Sequence, residues 1–180
     1  MQQADGYTEL LFSTAINNKI RLFERLATLG ADLRAIDDKS GESIIHLAAS
    51  SPEILKILSQ KGLDVNALSP HQQTPLHLSQ NTEAVEFLLS KGAKTDLLDE
   101  YGWTAFHYAV LEADLKIINI LLSNGADASV ATQKPLDALQ SGLSIPANST
   151  PLQIAEIAMG FHKDKPDLQT KLNGILQLLK

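Results

Sequence analysis

Three histidines stand at nearly equal spacing and are the first residues in this chain that suggest chemistry. His46, His77 and His107 are separated by 31 and 30 residues. Imidazole titrates near neutral pH and binds metals, so a row of histidines suggests a general base or a metal site. A zinc site, however, needs three or four ligands that converge on one point, and regular spacing along a repeating chain keeps the rings apart. The spacing therefore favours a structural role, and we expect no metal site.

Two pairs of adjacent acids are the other residues that suggest catalysis. Asp37 is followed by Asp38, and Asp99 by Glu100, in both cases next to a predicted turn. A catalytic pair of carboxylates needs an enclosed site that separates the two pKa values, whereas turn carboxylates accept N–H groups and face water. The chain also has no glycine-rich phosphate loop, nucleophile elbow or His-Glu-x-x-His run. We therefore expect no catalytic residues, no enzyme activity and no cofactor.

Composition narrows the classes of partner and compartment. The 180 residues carry a net charge of -6, and the fifteen basic residues are scattered, so nucleic acid and anionic membranes are disfavoured as partners. No cysteine is present, which excludes disulfides and agrees with a reducing compartment. Neither a secretion signal nor an apolar stretch long enough to span a membrane is apparent. These features predict a soluble, cytoplasmic protein.

Two short strings recur in step along the chain. The string Thr74-Pro75-Leu76-His77 has counterparts at 43–46, 104–107 and 150–153. A second string, Gly30-Ala31-Asp32, has counterparts at 62–64, 92–94 and 125–127, each after a leucine-rich run. The threonines are typical helix N-caps, proline suits the first helical position, and glycine is the residue that most readily closes a helix. Each unit is therefore predicted to contain two helices.

The paired strings resemble the ankyrin repeat, a unit of about 33 residues. The resemblance covers about 6–180 and implies an all-α fold class, an ankyrin-repeat solenoid of helix-turn-helix units joined by β-hairpin-like loops. It also implies that the repeated histidine hydrogen-bonds backbone between adjacent units. We expect one domain, 1–180, with about five repeats of which the outer two are polar caps. The repeats are placed at about 6–37, 38–70, 71–99, 102–131 and 148–180.

Two departures from the repeat pattern stand out. Thr104 and Thr150 are 46 residues apart, more than one period, so an enlarged hairpin finger is expected at 131–149. Within it, 134–139 mimics the helix-opening string, which predicts a helical turn at 135–140. The hairpin at 69–73 lacks the glycine that Gly41 and Gly102 supply in its neighbours, which leaves its turn uncertain.

The resemblance places partner binding on hairpin tips and exposed first-helix positions, which line one concave surface in this family. Tyr101 and Trp103 flank Gly102 at a tip expected to be exposed, and Leu111 takes a helix position that is usually polar. Aromatic anchors of this kind dominate binding hot spots. Packing of both aromatic side chains against the finger is the alternative. The expected partner-binding residues are Tyr101, Trp103, Leu111, Glu112, Glu100, His71 and Gln73.

The function that these observations favour is protein–protein interaction, as an adaptor or an inhibitor of a partner whose identity the sequence does not give. Two alternatives stay open. One is an enzyme or enzyme subunit with a site formed by the 131–149 insertion, and the other is a structural role as a homo-oligomer. A narrower version of the main hypothesis is a secreted bacterial effector that is delivered into a host cell.

Overall fold

The computed structural model describes residues 2–138 and 142–180, and helices dominate this part of the chain. Ten helices follow one another in five pairs within these residues, which confirms the predicted all-α fold class. The helices are α1 (Gln2–Ile16), α2 (Ile20–Thr28), α3 (Ile44–Leu47), α4 (Pro52–Gln60), α5 (Pro75–Leu78), α6 (Thr82–Ser90), α7 (Ala105–Leu111), α8 (Leu115–Ser123), α9 (Pro151–Phe161) and α10 (Pro166–Leu178). No helix in the described part combines the length and apolar character needed to cross a membrane.

The first helix of each later pair starts at the residue that the repeated string predicts. Ser43, Thr74, Thr104 and Thr150 are the N-cap residues of α3, α5, α7 and α9, in extended backbone conformation. Proline stands at the first helical position of α5 and α9, where its missing N–H has no helical partner to lose. The prediction of the helix starts is therefore confirmed.

The chain divides into two compact units, residues 1–94 and 95–180. The first unit contains α1 to α6, in which α1 packs on α2 and α3, and α4 packs on both α2 and α6. Its core is mainly aliphatic, and the largest buried side chains include Leu11, Phe23, Ile44, Leu55 and Leu88. Short helices of this kind are stable only through such packing, because an isolated helix of four to nine residues is not stable in water.

The second unit contains α7 to α10 and a two-stranded antiparallel sheet. Helix α9 packs on α7 and α10, and α10 also contacts α8. The buried core includes Trp103, Phe106, Ile118, Ile154 and Ile175. That the two units form one domain, 1–180, stays a prediction.

The finger contains strands rather than a helical turn. Strands β1 (Leu136–Ala138) and β2 (Leu143–Ile145) pair antiparallel, with Leu136 opposite Ile145. The predicted helical turn is therefore wrong at 136–138, while 139 and 140 lie outside the described residues. The reason is tertiary: β2 alternates buried, exposed and buried side chains, and its buried side chains Leu143 and Ile145 belong to a strand that packs on α9.

The first repeat is less polar at its outer face than a cap requires. Leu10 of α1 is 46% exposed and Leu22 of α2 is 43% exposed. Leu22 precedes the closing Gly30 by eight residues, as the fully buried Ile54 precedes Gly62. The expectation of a polar first helix therefore holds for the exposed Ser13 and Asn17, but Thr14 is buried and Leu10 is an exposed apolar residue.

Candidate functional site

His46 and His107 hydrogen-bond the backbone that follows their own repeat, as the family resemblance implied. In the first unit the His46 Nδ1 lies 2.7 Å from Ser43 Oγ. The His46 Nε2 on the other edge of the ring lies 2.9 Å from the carbonyl oxygen of Ala67 and 3.1 Å from that of Gln73. The side chain thus joins the start of its own helix to the backbone of the next hairpin.

The hydrogen bonds of His107 determine which ring nitrogen carries the proton. The Thr104 backbone N–H donates to His107 Nδ1 over 3.0 Å, so that nitrogen is an acceptor without a proton. The Nε2 must then carry the hydrogen, and it donates to the Val130 carbonyl oxygen at 3.0 Å. Both nitrogens are used for structure, which leaves neither available as a base or a metal ligand.

His77 begins its helix in the same way, because the Thr74 backbone N–H donates to its Nδ1 over 3.1 Å. In the last repeat Gln153 takes the histidine position, and its Oε1 accepts from the Thr150 N–H over 2.8 Å. Within the described residues, no group of three or more His, Asp or Glu side chains is placed to hold a metal ion.

The hairpin 99–103 is organised by one buried carboxylate. Asp99 Oδ1 accepts from the backbone N–H groups of Tyr101 and Trp103, each over 2.9 Å, and Oδ2 accepts from the Tyr108 hydroxyl over 2.6 Å. The Asp99 N–H also donates to the Trp103 carbonyl over 2.9 Å. Asp99 is only 4% exposed, so the expectation of a solvated acid at this tip was wrong. Its three acceptor bonds explain why burial is tolerated.

Trp103 is part of the core and not of the surface. Its side chain is 0% exposed, and its ring lies 5.1 Å from that of Tyr108 and 5.7 Å from that of His107. The expectation that Trp103 is an exposed anchor was therefore wrong. Truncation to alanine should remove about 3–5 kcal/mol of stability rather than only weaken binding.

A local rule explains this burial. Trp103 directly precedes the N-cap residue Thr104, and Tyr108 is the fourth helical residue. Apolar residues at these two positions pack on each other as a hydrophobic staple, which fixes the angle at which the chain enters the helix. The staple was readable in the sequence and was missed because the aromatic pair around Gly102 was interpreted as an exposed tip.

The other predicted binding residues of the second unit do not form one patch with Trp103. Glu100 and Tyr101 are half-buried on the hairpin, whereas Leu111 is the half-buried last residue of α7 and Glu112 is its exposed C-cap. Helix α7 separates the two sets by about 9 Å along its axis. The predicted convergence of three large apolar groups is therefore replaced by two smaller surfaces at opposite ends of α7.

The start of the finger is attached to the hairpin 99–103. The Tyr101 carbonyl oxygen accepts from the N–H groups of Gln133 over 2.9 Å and Lys134 over 3.0 Å. Gly102 has φ +75°, and a Cβ added there would lie 2.7 Å from the Gln133 backbone nitrogen. The backbone of the tip thus contacts the finger, and only glycine fits at this contact. The alternative that the side chains of Tyr101 and Trp103 pack against the finger stays a prediction.

The hairpin 69–73 in the first unit forms its turn without glycine. Gln72 adopts φ 59°, its N–H donates to the Ser69 carbonyl, and the Ser69 N–H donates to that of Gln73, both over 2.9 Å. Of the two residues predicted here for binding, His71 is exposed and Gln73 is half-buried. Of these two residues, His71 is therefore the more exposed.

Among the described residues of the first hairpin, only Asp37 of the acid pair forms turn bonds. Asp37 Oδ2 accepts from the Ser40 N–H over 2.9 Å and from the Ser40 hydroxyl over 2.8 Å. These two bonds hold the pKa of the Asp37 carboxyl below its ordinary value, because both stabilise the charged form. The carboxylate of Asp37 is therefore used to close the hairpin turn.

Two cavities border the predicted binding elements of the second unit. One of about 470 Å³ lies between the base of the finger and α9, and one of about 340 Å³ lies between the α7–α8 turn and Lys171. The first has Glu156 as its one ionisable lining residue among those described, so it offers no acid–base pair. Glu112 lines the second, beside Asp114, Lys116 and Lys171.

Comparison with known proteins gives a consistent result. The sequence pattern of the family described as "Ankyrin repeats (3 copies)" matches residues 10–97 and 69–132. The chain is 32% identical over 141 residues to the nuclear factor NF-kappa-B p105 subunit of Gallus gallus, which covers 72% of this chain and 14% of that protein.

Two further relatives cover similar parts of the chain. The B-cell lymphoma 3 protein homolog of Mus musculus is 32% identical over 138 residues, 71% of this chain and 30% of the relative. The human ankyrin repeat and SOCS box protein 6 is 27% identical over 142 residues, 72% of this chain and 34% of the relative. The chain thus spans between about a seventh and a third of the length of these relatives.

Proposed function

Because the chain belongs to the ankyrin-repeat family, we propose that it is a protein-interaction module, an adaptor or inhibitor that carries out no reaction itself. In the second unit the proposed contact residues are Glu100 and Tyr101 on the hairpin, with Leu111 and Glu112 at the end of α7. In the first unit they are His71 and Gln73. Trp103 supports the hairpin from beneath and is not proposed as a contact.

One observation carries the proposal: buried groups hold the backbone of the hairpin 99–103 in place, while the side chains of Glu100 and Tyr101 are partly accessible. Asp99, the buried Trp103 and the Gly102–Gln133 contact fix its backbone before any partner arrives. Binding then costs little ordering entropy, and a half-buried tyrosine is a low-entropy anchor. Rigid presentation of Glu100 and Tyr101 is what recognition of a protein surface requires.

The enzyme alternative gains no support from the described residues. The histidines best suited to proton transfer are engaged by backbone groups, and the cavity beside the finger has a single carboxylate, Glu156. We also propose a reducing, cytoplasmic compartment, which rests on the lack of cysteine in the sequence. Homo-oligomer formation and delivery into a host cell stay predictions.

Site-specific photo-crosslinking tests the proposal. A photo-reactive amino acid replaces Tyr101 in one variant and Glu112 in a second, and cross-linked proteins are identified by mass spectrometry. The matched control places it at Asn119, an exposed residue of α8 in the same unit. We expect one protein to be cross-linked from the hairpin or the end of α7, and not from Asn119. Equal products from all three positions, or from Asn119 alone, would contradict the proposed surface.

The purified partner then gives the strength of the contact. Tyr101→Ala should weaken binding by about 2 kcal/mol, a factor of about 30, if Tyr101 is a hot spot. Thermal unfolding of the variant serves as the control for an intact fold. An unchanged dissociation constant with an unchanged unfolding temperature would remove Tyr101 from the site.

A further inference from the structure

Two exposed aliphatic side chains occupy the same position in adjacent hairpins of the first unit. Ile36 directly precedes Asp37, whose N–H donates to the Glu42 carbonyl, and Leu68 directly precedes Ser69, which bonds across its hairpin in the same way. Ile36 is 60% exposed and Leu68 is 58% exposed. Neither side chain fills the core, so a polar residue would serve the fold equally well.

The two hairpins touch each other, which brings these side chains onto neighbouring elements. A Cβ added at Gly41, in the first hairpin, would lie 2.7 Å from Pro70 Cγ in the second. Ile36 and Leu68 are thus presented by two hairpins in direct contact. Exposed apolar residues in scattered positions need no explanation, but repetition at one position of a stack does.

A groove of about 530 Å³ opens beside Ile36, between the first hairpin and α1. The nearly buried Phe12 of α1 and the half-buried Ala35 line it together with Ile36, and these residues make part of its surface apolar. We name the groove, together with Leu68 on the hairpin that touches the first one, the 36/68 groove. Its size suits one large side chain and the backbone on either side of it.

The rim of the 36/68 groove is strongly acidic. Its lining residues include four carboxylates, Glu9, Asp32, Asp37 and Asp38, against one ammonium group, that of Lys39. Within the described part of the chain, no hydrogen bond or ion pair engages the carboxylates of Glu9 and Asp38. An uncompensated negative field beside an apolar floor favours a ligand that is both basic and apolar.

We infer that the 36/68 groove binds an extended basic segment of a partner protein, with an apolar side chain against Ile36 and Leu68 and lysine or arginine side chains on the acidic rim. The inference rests on the proposed interaction function and adds the chemistry of the partner. The negative field repels nucleic acid and anionic lipid. A second copy of this chain is a poor occupant because its own net charge is -6.

Binding of short synthetic peptides to the full chain tests this inference by fluorescence anisotropy. The three labelled probes contain lysine with leucine, lysine with serine, and glutamate with leucine. We expect the lysine–leucine peptide to bind tightest, by about tenfold over each of the others, with affinity that falls as salt is raised. Equal binding of the lysine–leucine and lysine–serine peptides would overturn the apolar half of the inference.

Charge variants locate the binding site. Glu9→Gln with Asp38→Asn should weaken lysine–leucine binding about tenfold, because two rim charges are lost. The matched control, Glu53→Gln with Glu86→Gln, removes two equally exposed charges from α4 and α6 of the same unit and should change affinity no more than about twofold. If both double variants lost affinity for the lysine–leucine peptide equally, the net charge of the chain alone would attract the peptide, and the groove would not be its binding site.

Apolar variants complete the test. Ile36→Ser with Leu68→Ser should remove the preference for leucine over serine peptides without lowering the unfolding temperature, since both side chains are largely exposed. Self-association of the unmodified chain that these substitutions abolish would assign the groove to a second copy and overturn the inference. A partner cross-linked at Tyr101 whose affinity is unchanged by the groove variants would overturn this inference and leave the proposed function intact. Groove-specific peptide binding without any cross-link at Tyr101 or Glu112 would support this inference and contradict the contact surface given in the proposed function.

Discussion

Substitution of Gly102 by alanine tests how the hairpin 99–103 is joined to the finger. Gly102 has φ +75°, a conformation that costs an L-residue about 1–2 kcal/mol relative to glycine. A Cβ there would also lie 2.7 Å from the Gln133 nitrogen. That nitrogen cannot retreat without breaking its 2.9 Å bond to the Tyr101 carbonyl oxygen, and overpacking of this kind costs about 1–3 kcal/mol.

The matched control is Gly125→Ala in the same unit. Gly125 has φ +84°, and nothing lies within 4 Å of a Cβ added there. It therefore shares the conformational penalty but not the clash. Alanine also lowers the conformational entropy of the unfolded chain, which stabilises both variants by roughly 0.5–1 kcal/mol. We expect losses of about 0.5–1 kcal/mol for Gly125→Ala and about 2–4 kcal/mol for Gly102→Ala.

Urea unfolding monitored by tryptophan fluorescence measures both variants. Trp103 is the single tryptophan of the chain and is buried in the same unit, so its emission reports the unit that carries both substitutions. Free energies of unfolding that agree within about 0.5 kcal/mol would refute the reasoning, because the contact with Gln133 would then contribute nothing.

Three further substitutions have expected outcomes that follow from the first unit. Gln72→Gly should stabilise it by about 0.5–1 kcal/mol in urea unfolding followed by circular dichroism, since Gln72 has φ 59°; a loss of stability would contradict this. Ser79→Ala should stabilise the first unit by about 1 kcal/mol in the same assay, because the buried Ser79 Oγ has no hydrogen-bond partner among the described residues. Alanine suits the position, since Ala48 follows the N-cap of α3 as Ser79 follows that of α5. Destabilisation would contradict this and would indicate a bound water. Ser40→Ala should raise the pKa of Asp37 toward its ordinary value in an NMR titration, since it removes the hydroxyl bond. The stabilisation by Asp37 is complete above the ordinary carboxyl pKa and is lost as the pH falls through the lowered one, and an unchanged pKa in the variant would contradict the assignment.

The parts of the fold that obey local rules could be predicted from the sequence. Helix starts followed from Thr74, Thr104 and Thr150, because an N-cap threonine and the residue three positions later satisfy each other within one turn. The role of His46 also followed, although from the family resemblance rather than from spacing alone. Its two bonds need only its own cap and the next hairpin.

The parts that depend on tertiary contacts could not be predicted in the same way. The segment 134–139 resembles a helix opening, yet the pairing of Leu136 with Ile145 makes it a strand, and a local pattern does not reveal its partner. Asp99 looked solvated because adjacent acids usually are, whereas its burial depends on the Tyr108 hydroxyl nine residues later. The acidic groove beside Ile36 joins residues from α1 and the first hairpin, which no motif links.

Four hairpins share one backbone device, and it has a consequence for how this protein can diversify. Two residues before each helix N-cap the chain has positive φ, at Gly41, Gln72, Gly102 and Asn148. That single conformation and the capping bonds set the path of the tip, so the tip side chains that are not buried, unlike those of Asp99 and Trp103, carry little of the folding free energy. New specificities can therefore arise by drift at residues such as Tyr101 while the scaffold stays intact.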